Sequence, residues 1–190
     1  MKARESGMPD EQLWEQFFDV NKILDELAVD SKINKIVDFG SGYGTFAIPA
    51  GKKINGSLYA YDIEEDLIKL LNSKLQKNNI SNITVINKDF ISEGSGLQDE
   101  EVDYVMLFNI LHAEKSEDIL KESYRILKKN GKVGVIHWIF DNSTPRGPGM
   151  DIRPRPDELK KLLIKNGFSI LKYNISLPPY HYGILAVKNP

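Results

Sequence analysis

Val37-Asp38-Phe39-Gly40-Ser41-Gly42-Tyr43-Gly44 is the stretch that decides the fold. A short apolar run, Lys35 to Phe39, meets a glycine-rich turn there, and a helix over about 43–53 is expected to follow. Glycines at such a junction let the backbone turn tightly and let a ligand approach its amides. The exposed N–H groups at the helix start favour an anionic group. Nucleotide binders of several classes use loops of this kind, and a purely structural turn is the plain alternative.

Working outward, strand and helix patterns alternate. Leu58 to Tyr61 reads as a second strand closed by Asp62, and Glu64 to Lys77 as an amphipathic helix. Ile83 to Ile86 is a third strand, and Val102 to Phe108 a fourth, apolar enough to be covered on both faces. Ile119 to Leu127 reads as helix with Asn130-Gly131 as its C-terminal cap, and Lys132 to Phe140 as a fifth strand. Residues 141–156 are too rich in proline and glycine for regular structure, and a helix follows from Pro156 to about Asn166. Ser169–Ile175 and Tyr182–Val187 are too closely spaced for a helical crossover and should form an antiparallel hairpin. Before all of these, Asp10 is a plausible N-cap, and Leu13, Trp14, Phe17, Phe18, Ile23, Leu24 and Leu27 suit two short helices. The fold class is therefore α/β: a doubly wound, seven-stranded sheet, mainly parallel, with a C-terminal antiparallel hairpin.

Spacing separates the nucleotide-binding classes. A nicotinamide-dependent oxidoreductase wants Gly-x-Gly-x-x-Gly, whereas here the third glycine comes one residue early. Lysine is absent after the loop, which excludes a P-loop. Asp62, at the end of the second strand, stands where a carboxylate can accept hydrogen bonds from both ribose hydroxyls.

The chain resembles the class I S-adenosylmethionine-dependent methyltransferases over roughly residues 33–140. Asp38, Gly40, Ser41 and Gly42 match that family's first motif, and Tyr61-Asp62-Ile63 its second. Lys88-Asp89-Phe90 resembles its adenine-binding motif, and Val102 to His112 its fourth, with Asn109 facing the methionine arm. The resemblance implies a Rossmann-like fold that binds S-adenosyl-L-methionine through Asp38, Gly40, Ser41, Gly42, Asp62, Ile63, Asp89, Phe90 and Asn109, releasing S-adenosyl-L-homocysteine. It implies one domain over 1–190: a helical lid at 1–30, a cofactor-binding core at 33–140, and a substrate loop with hairpin at 141–190. Asp38 could instead cap the loop, Asn109 cap the next segment, and Phe90 serve the core.

In such enzymes the cofactor carries the hard chemistry and the protein aligns the nucleophile. His112 and His137 are candidate bases, although His112 also suits a capping role and His137 the core. His181, amid Pro178-Pro179-Tyr180, suggests aromatic packing. Arg146 and Arg153, in the loop after the fifth strand, are candidates to meet an acidic substrate group, with surface solubility as the alternative. Phe108-Asn109-Ile110-Leu111 lacks the Pro-Pro-aromatic ending of enzymes that methylate base or amide nitrogens, so a small-molecule acceptor is expected. A non-catalytic binder on the same fold is the other open reading.

Composition agrees. The net charge of −2 gives no global sign of nucleic-acid binding. Residues 121–190 nevertheless carry 13 Lys and Arg against 5 Asp and Glu, so an anionic acceptor is in keeping with that half. The absence of cysteine excludes disulfides and thiolate metal sites, and no metal is expected. No apolar run approaches the ~20 residues of a membrane span, and a cytoplasmic protein is the expectation. The sequence carries no sign of oligomeric state.

Overall fold

The computed structural model describes residues 9–189; residues 1–8, part of the expected lid, lie outside the described residues. In chain order the elements are α1 (Glu11–Glu15), α2 (Val20–Glu26), β1 (Lys35–Phe39), α3 (Ala47–Lys53), β2 (Ser57–Asp62), α4 (Glu65–Lys77) and β3 (Ile83–Asn87). There follow α5 (Phe90–Glu93), β4 (Val102–Phe108), α6 (Ser116–Ile126), β5 (Leu127–Trp138), α7 (Pro156–Lys165), β6 (Phe168–Leu177) and β7 (His181–Lys188).

All seven strands join one sheet in the order β3-β2-β1-β4-β5-β7-β6. The five strands from β3 to β5 pair in parallel, while β7 pairs antiparallel with both β5 and β6. The expected fold class is borne out, and the strand order reverses between β1 and β4. Side chains alternate across each strand, so each face of the sheet carries its own core. Ile36, Leu58, Tyr104, Met106 and Trp138 pack with residues of α2, α3 and α4. Val37, Val105, Leu107, Val133 and Val135 pack with residues of α5, α6 and α7.

Three local readings are corrected. Regular helix begins at Ala47 rather than Tyr43, because Gly40, Gly42 and Gly44 all take positive φ and keep the chain out of helix until after the loop. Asn130-Gly131 does not end a helix. That helix stops at Ile126, and Leu127 already pairs with Val102 in the sheet; Asn130, at φ 62, lies in an irregularity within β5. The strand then ends at Trp138, two residues short of Phe140. A short helix, α5, was not anticipated; Asp89 caps it by accepting the amides of Ile91 and Ser92.

The N-terminal helices are held to the sheet by aromatic rings. Trp138 is buried, with the Phe17 ring 5.3 Å away, Trp14 at 6.5 Å and Tyr180 stacked at 6.0 Å. Trp138→Ala should cost about 3–5 kcal/mol in urea denaturation, and amides of α1 and α2 should lose more hydrogen-exchange protection than those of β1. Equal losses in both would show that this ring does not selectively hold the helices.

Candidate active site at the carboxyl rim of the sheet

The glycine loop is fastened to the end of the neighbouring strand. The Tyr61 carbonyl accepts the amides of Gly40 and Ser41, both at 2.9 Å. The Asp62 carboxylate accepts the Gly42 amide at 2.8 Å and the Glu64 amide at 3.0 Å. The Lys88 amide in turn donates to the Asp62 carbonyl, so the ends of β1, β2 and β3 meet. Ile63 is half-buried at the same corner. On the other flank Gly40 faces the turn after β4: a Cβ built there would stand 3.0 Å from Ile110 Cδ1. Asn109, at φ 56, donates its amide to Ile136 and so joins the end of β4 to β5. Asp38, Gly40, Ser41, Gly42, Asp62, Ile63, Asp89 and Asn109 therefore stand along one rim.

The rim holds buried polar atoms without partners among the described residues. Ser41 Oγ, Thr45 Oγ1 and Asn109 Oδ1 make no hydrogen bond, which inside a protein is costly unless a ligand or water completes them. Thr45 was missed in the sequence; its place directly after the third glycine was the available signal. Asp38, 2% exposed, is pushed up to about 7 by burial and by the charge of Asp62. A cationic group bound beside these two carboxylates would relieve both burial and repulsion. The residues present thus fit an adenosyl sulfonium: a carboxylate for ribose, open amide-rich backbone, unpartnered acceptors and negative charge.

Two expected contacts are corrected. Phe90 lies in the core, stacked on Phe39 at 3.9 Å and edge-on to Tyr61, so its ring is spent within the protein. Arg153 is buried as well. Its guanidinium donates to the carbonyls of Pro148, Ile139, Asp141 and Arg146 and to the Thr144 hydroxyl, leaving no donor for an acceptor molecule. A long cation surrounded by carbonyls organises the 141–156 loop. Arg146 remains exposed.

The histidines, far apart in sequence, meet at the ends of β4, β5 and β7. His137 Nε2 is 3.3 Å from His112 Nδ1, and His181 Nε2 is 3.4 Å from Asn109 Nδ2. His181 also lies against Phe18 and Trp138, as its aromatic setting suggested. Burial lowers its pKa to about 3 and holds that of His137 well below the usual value, so both rings stay neutral. No group of three or more His, Asp or Glu side chains among the described residues is arranged to hold a metal ion.

Two measurements test this electrostatic picture. Folded Asp38 keeps a proton up to about pH 7 that the unfolded chain releases near 4, so its stability cost grows as pH rises between those values. The neutral histidines act oppositely, costing stability on acidification, which makes the variant-minus-parent difference the informative quantity. Asp38→Asn should gain on the parent by about 1.4 kcal/mol per pH unit across that interval in the absence of cofactor. A pH-independent difference would refute the assignment. Arg153→Ala should make residues 141–156 the first site of limited proteolysis, and unaltered cleavage would remove its organising role.

Comparison with known proteins agrees with the geometry. Residues 36–131 match the family described as Methyltransferase domain. The ribosomal RNA small subunit methyltransferase A of Mycoplasmopsis pulmonis is 31% identical over 125 residues, which cover 66% of this chain and 42% of that protein. A probable cobalt-precorrin-6B C(15)-methyltransferase of Sulfurisphaera tokodaii is 29% identical over 103 residues, covering 53% of this chain and 52% of its own. The chain thus spans about half the length of these relatives, or less. Among solved structures, a SAM-dependent methyltransferase from Aquifex aeolicus superposes with a TM-score of 0.82, covering 94% of this chain and 93% of that one; at 22% identity this is a likeness of fold. By its matched domain, its motifs and its rim, the chain belongs to the class I S-adenosylmethionine-dependent methyltransferase family.

Proposed function

We propose that this protein transfers the methyl group of S-adenosylmethionine to a small-molecule acceptor by in-line displacement. The observation that carries the reading is the set of unpartnered buried atoms, Ser41 Oγ, Thr45 Oγ1 and Asn109 Oδ1, around a glycine loop closed by Asp62. When bound, S-adenosylmethionine supplies an electrophilic methyl on a sulfonium. In this reading Asp62 accepts the ribose hydroxyls, Asp89 meets the adenine amine, and Ile63 packs against the ring. Asp38 contributes negative charge behind the loop, and Asn109 offers its amide to the methionine arm.

The N-terminal helices serve as the lid. Tyr43 donates its hydroxyl to the Pro9 carbonyl at 2.9 Å, and Lys74 joins the Tyr43 carbonyl to Glu11. Together these contacts strap α1 to the glycine loop. Trp14, Phe17, Trp138 and Tyr180 form an aromatic cluster beside the rim. A rim walled this way suits a small, partly apolar acceptor that enters when the lid opens. Arg146 is an exposed cation in the adjoining loop that can meet an anionic group on it. Relatives whose names specify ribosomal RNA make RNA the competing acceptor. Burial of Arg153 removes a cation from the phosphate-binding surface that an RNA substrate requires.

A labelled-methyl screen over a deproteinised metabolite extract and over total RNA separates the two acceptors: counts in the metabolite fraction support the proposal, and counts confined to RNA defeat its acceptor. Charge-assisted hydrogen bonds contribute about 1.5–3 kcal/mol each. Asp62→Ala should therefore weaken S-adenosylhomocysteine binding at least tenfold by calorimetry, and undiminished affinity would remove the ribose assignment.

A further inference from the structure

We infer that Arg155 is a substrate-binding residue of this site and that it anchors a carboxylate carried by the methyl acceptor. The inference rests on the methyl-transfer reading above and adds to it a substrate class, small carboxylic acids.

The packing of Arg155 on Phe140 carries the argument. Its guanidinium carbon lies 3.6 Å from the centre of the Phe140 ring, so the cation rests on the ring face. A guanidinium held by its flat side keeps its N–H edge open for a planar anion. Arg155 is exposed, and its guanidinium engages no carboxylate or carbonyl among the described residues.

Both partners of the stack are held in place. Phe140 lies just past the end of β5, and Arg153 donates to the carbonyls on either side of it, Ile139 and Asp141, each at 3.1 Å. The Ile139 amide also donates to the Tyr180 carbonyl at 2.9 Å. Beside Arg155, the Pro154 carbonyl accepts the Tyr182 hydroxyl at 2.8 Å, and the Arg155 amide donates to the Glu158 carboxylate at 2.8 Å. Pro154 and Pro156 restrict the backbone between them. The buried arginine thus builds the loop, and the exposed one is what the loop presents. The place is the carboxyl rim, where β5 adjoins β4 and Ile136 accepts the Asn109 amide.

Local helix chemistry does not account for this residue. Arg155 is the N-cap of the ten-residue α7, a position that favours Ser, Thr, Asp or Asn. Its cation there faces the positive end of the helix dipole, a conflict that a bound anion would relieve. The two carboxylates of the first turn are engaged elsewhere, Glu158 by the Arg155 amide and Asp157 by the Tyr173 hydroxyl at 2.5 Å. Their charge opposes a phosphate dianion more than a carboxylate monoanion. The parallel N–H pair of a guanidinium also matches the two oxygens of a carboxylate. Shape and charge therefore select the carboxylic acid.

The test follows the Arg155 Nε–H resonance by proton–nitrogen NMR in protein saturated with S-adenosylhomocysteine. Sodium benzoate, inorganic phosphate and benzamide are titrated separately at constant ionic strength. Benzoate should shift the resonance saturably and at least about tenfold more tightly than phosphate, and benzamide should leave it in place. By calorimetry, Arg155→Gln should weaken benzoate binding about tenfold, and Phe140→Leu about two- to fivefold. A shift that does not saturate, an equal response to phosphate, or undiminished affinity in Arg155→Gln overturns the proposal. The parent titration decides even where a variant fails to fold. Calorimetry with S-adenosylhomocysteine separates the two readings: no binding by the parent defeats the methyl-transfer reading, whereas intact binding without a saturable benzoate shift defeats only the role of Arg155. With the metabolite extract divided by anion exchange, labelled methyl should enter the weak-acid fraction. Arg155→Gln should lower that incorporation about tenfold when the fraction is dilute and recover when it is concentrated, because lost uniform binding raises KM and spares kcat. Counts confined to the neutral fraction would also overturn it.

Discussion

One carbonyl oxygen organises this molecule's rim. Tyr61 accepts two successive amides, those of Gly40 and Ser41, and the adjoining Asp62 carboxylate takes a third from Gly42. Parallel pairing places Phe39 beside Tyr61, so the chain leaving β1 must turn at once across the end of β2. That turn requires positive φ at Gly40, Gly42 and Gly44, which side chains adopt only at a cost. At Gly44 a Cβ would also stand 2.4 Å from Leu71 Cδ1. The loop's conformation is thus imposed jointly by a hydrogen-bonded strand end and by the packing of α4. The same constraint drives Asp38 into the interior, one residue before the end of a strand that is covered on both faces.

The rest of the rim accepts conditions that a stable core normally avoids. Two carboxylates, Asp38 and Asp62, repel one another while one of them is desolvated. Among the described residues three buried oxygens lack partners, and two histidines are held neutral. Elsewhere the buried side chains are mainly apolar, and buried polar groups such as Ser123 and Lys188 have carbonyl partners, so local rules are broken mainly where the strands end. The aromatic cluster of Trp14, Phe17, Phe18, Trp138 and Tyr180 supplies compensating burial beside these groups.

Much of this was legible in the amino-acid order. The spans of β1 and β4 followed from continuous apolar runs, and the glycine spacing separated the nucleotide-binding classes. Helix starts were harder to place, because Tyr43 to Phe46 have acceptable helix chemistry and only the strain of the glycines delays the helix. Asn130-Gly131 has the composition of a helix cap, yet the pairing of Leu127 with Val102 captures the chain first. Such a long-range hydrogen bond has no local signature. Arg153 shows the same limit from the side of function: an arginine among prolines reads as surface charge until the fold surrounds it with carbonyls. The meeting of His112 with His137, 25 residues apart, depends on the register between β4 and β5 and could not be read from spacing.

The antiparallel strand has a chemical consequence for the rim. In a wholly parallel sheet, the neighbour of β5 would bring the end of a strand to the rim, after its side chains had already been committed to the core. Because β7 runs the other way, its first residues arrive there instead, His181 opposite Trp138 and Tyr182 opposite His137. Strand alternation then sends His181 to the face of the N-terminal helices, against Phe18 and beside Asn109. It sends Tyr182 to the opposite face, where its hydroxyl donates to the Pro154 carbonyl and ties the strand to the 141–156 loop. A single reversed strand therefore equips both faces of the rim next to β4 with polar rings. The parallel strands β1 to β3 supply the glycine loop and its carboxylates. The division of the rim between a glycine loop with its carboxylates and a set of polar rings follows from the direction in which β7 runs.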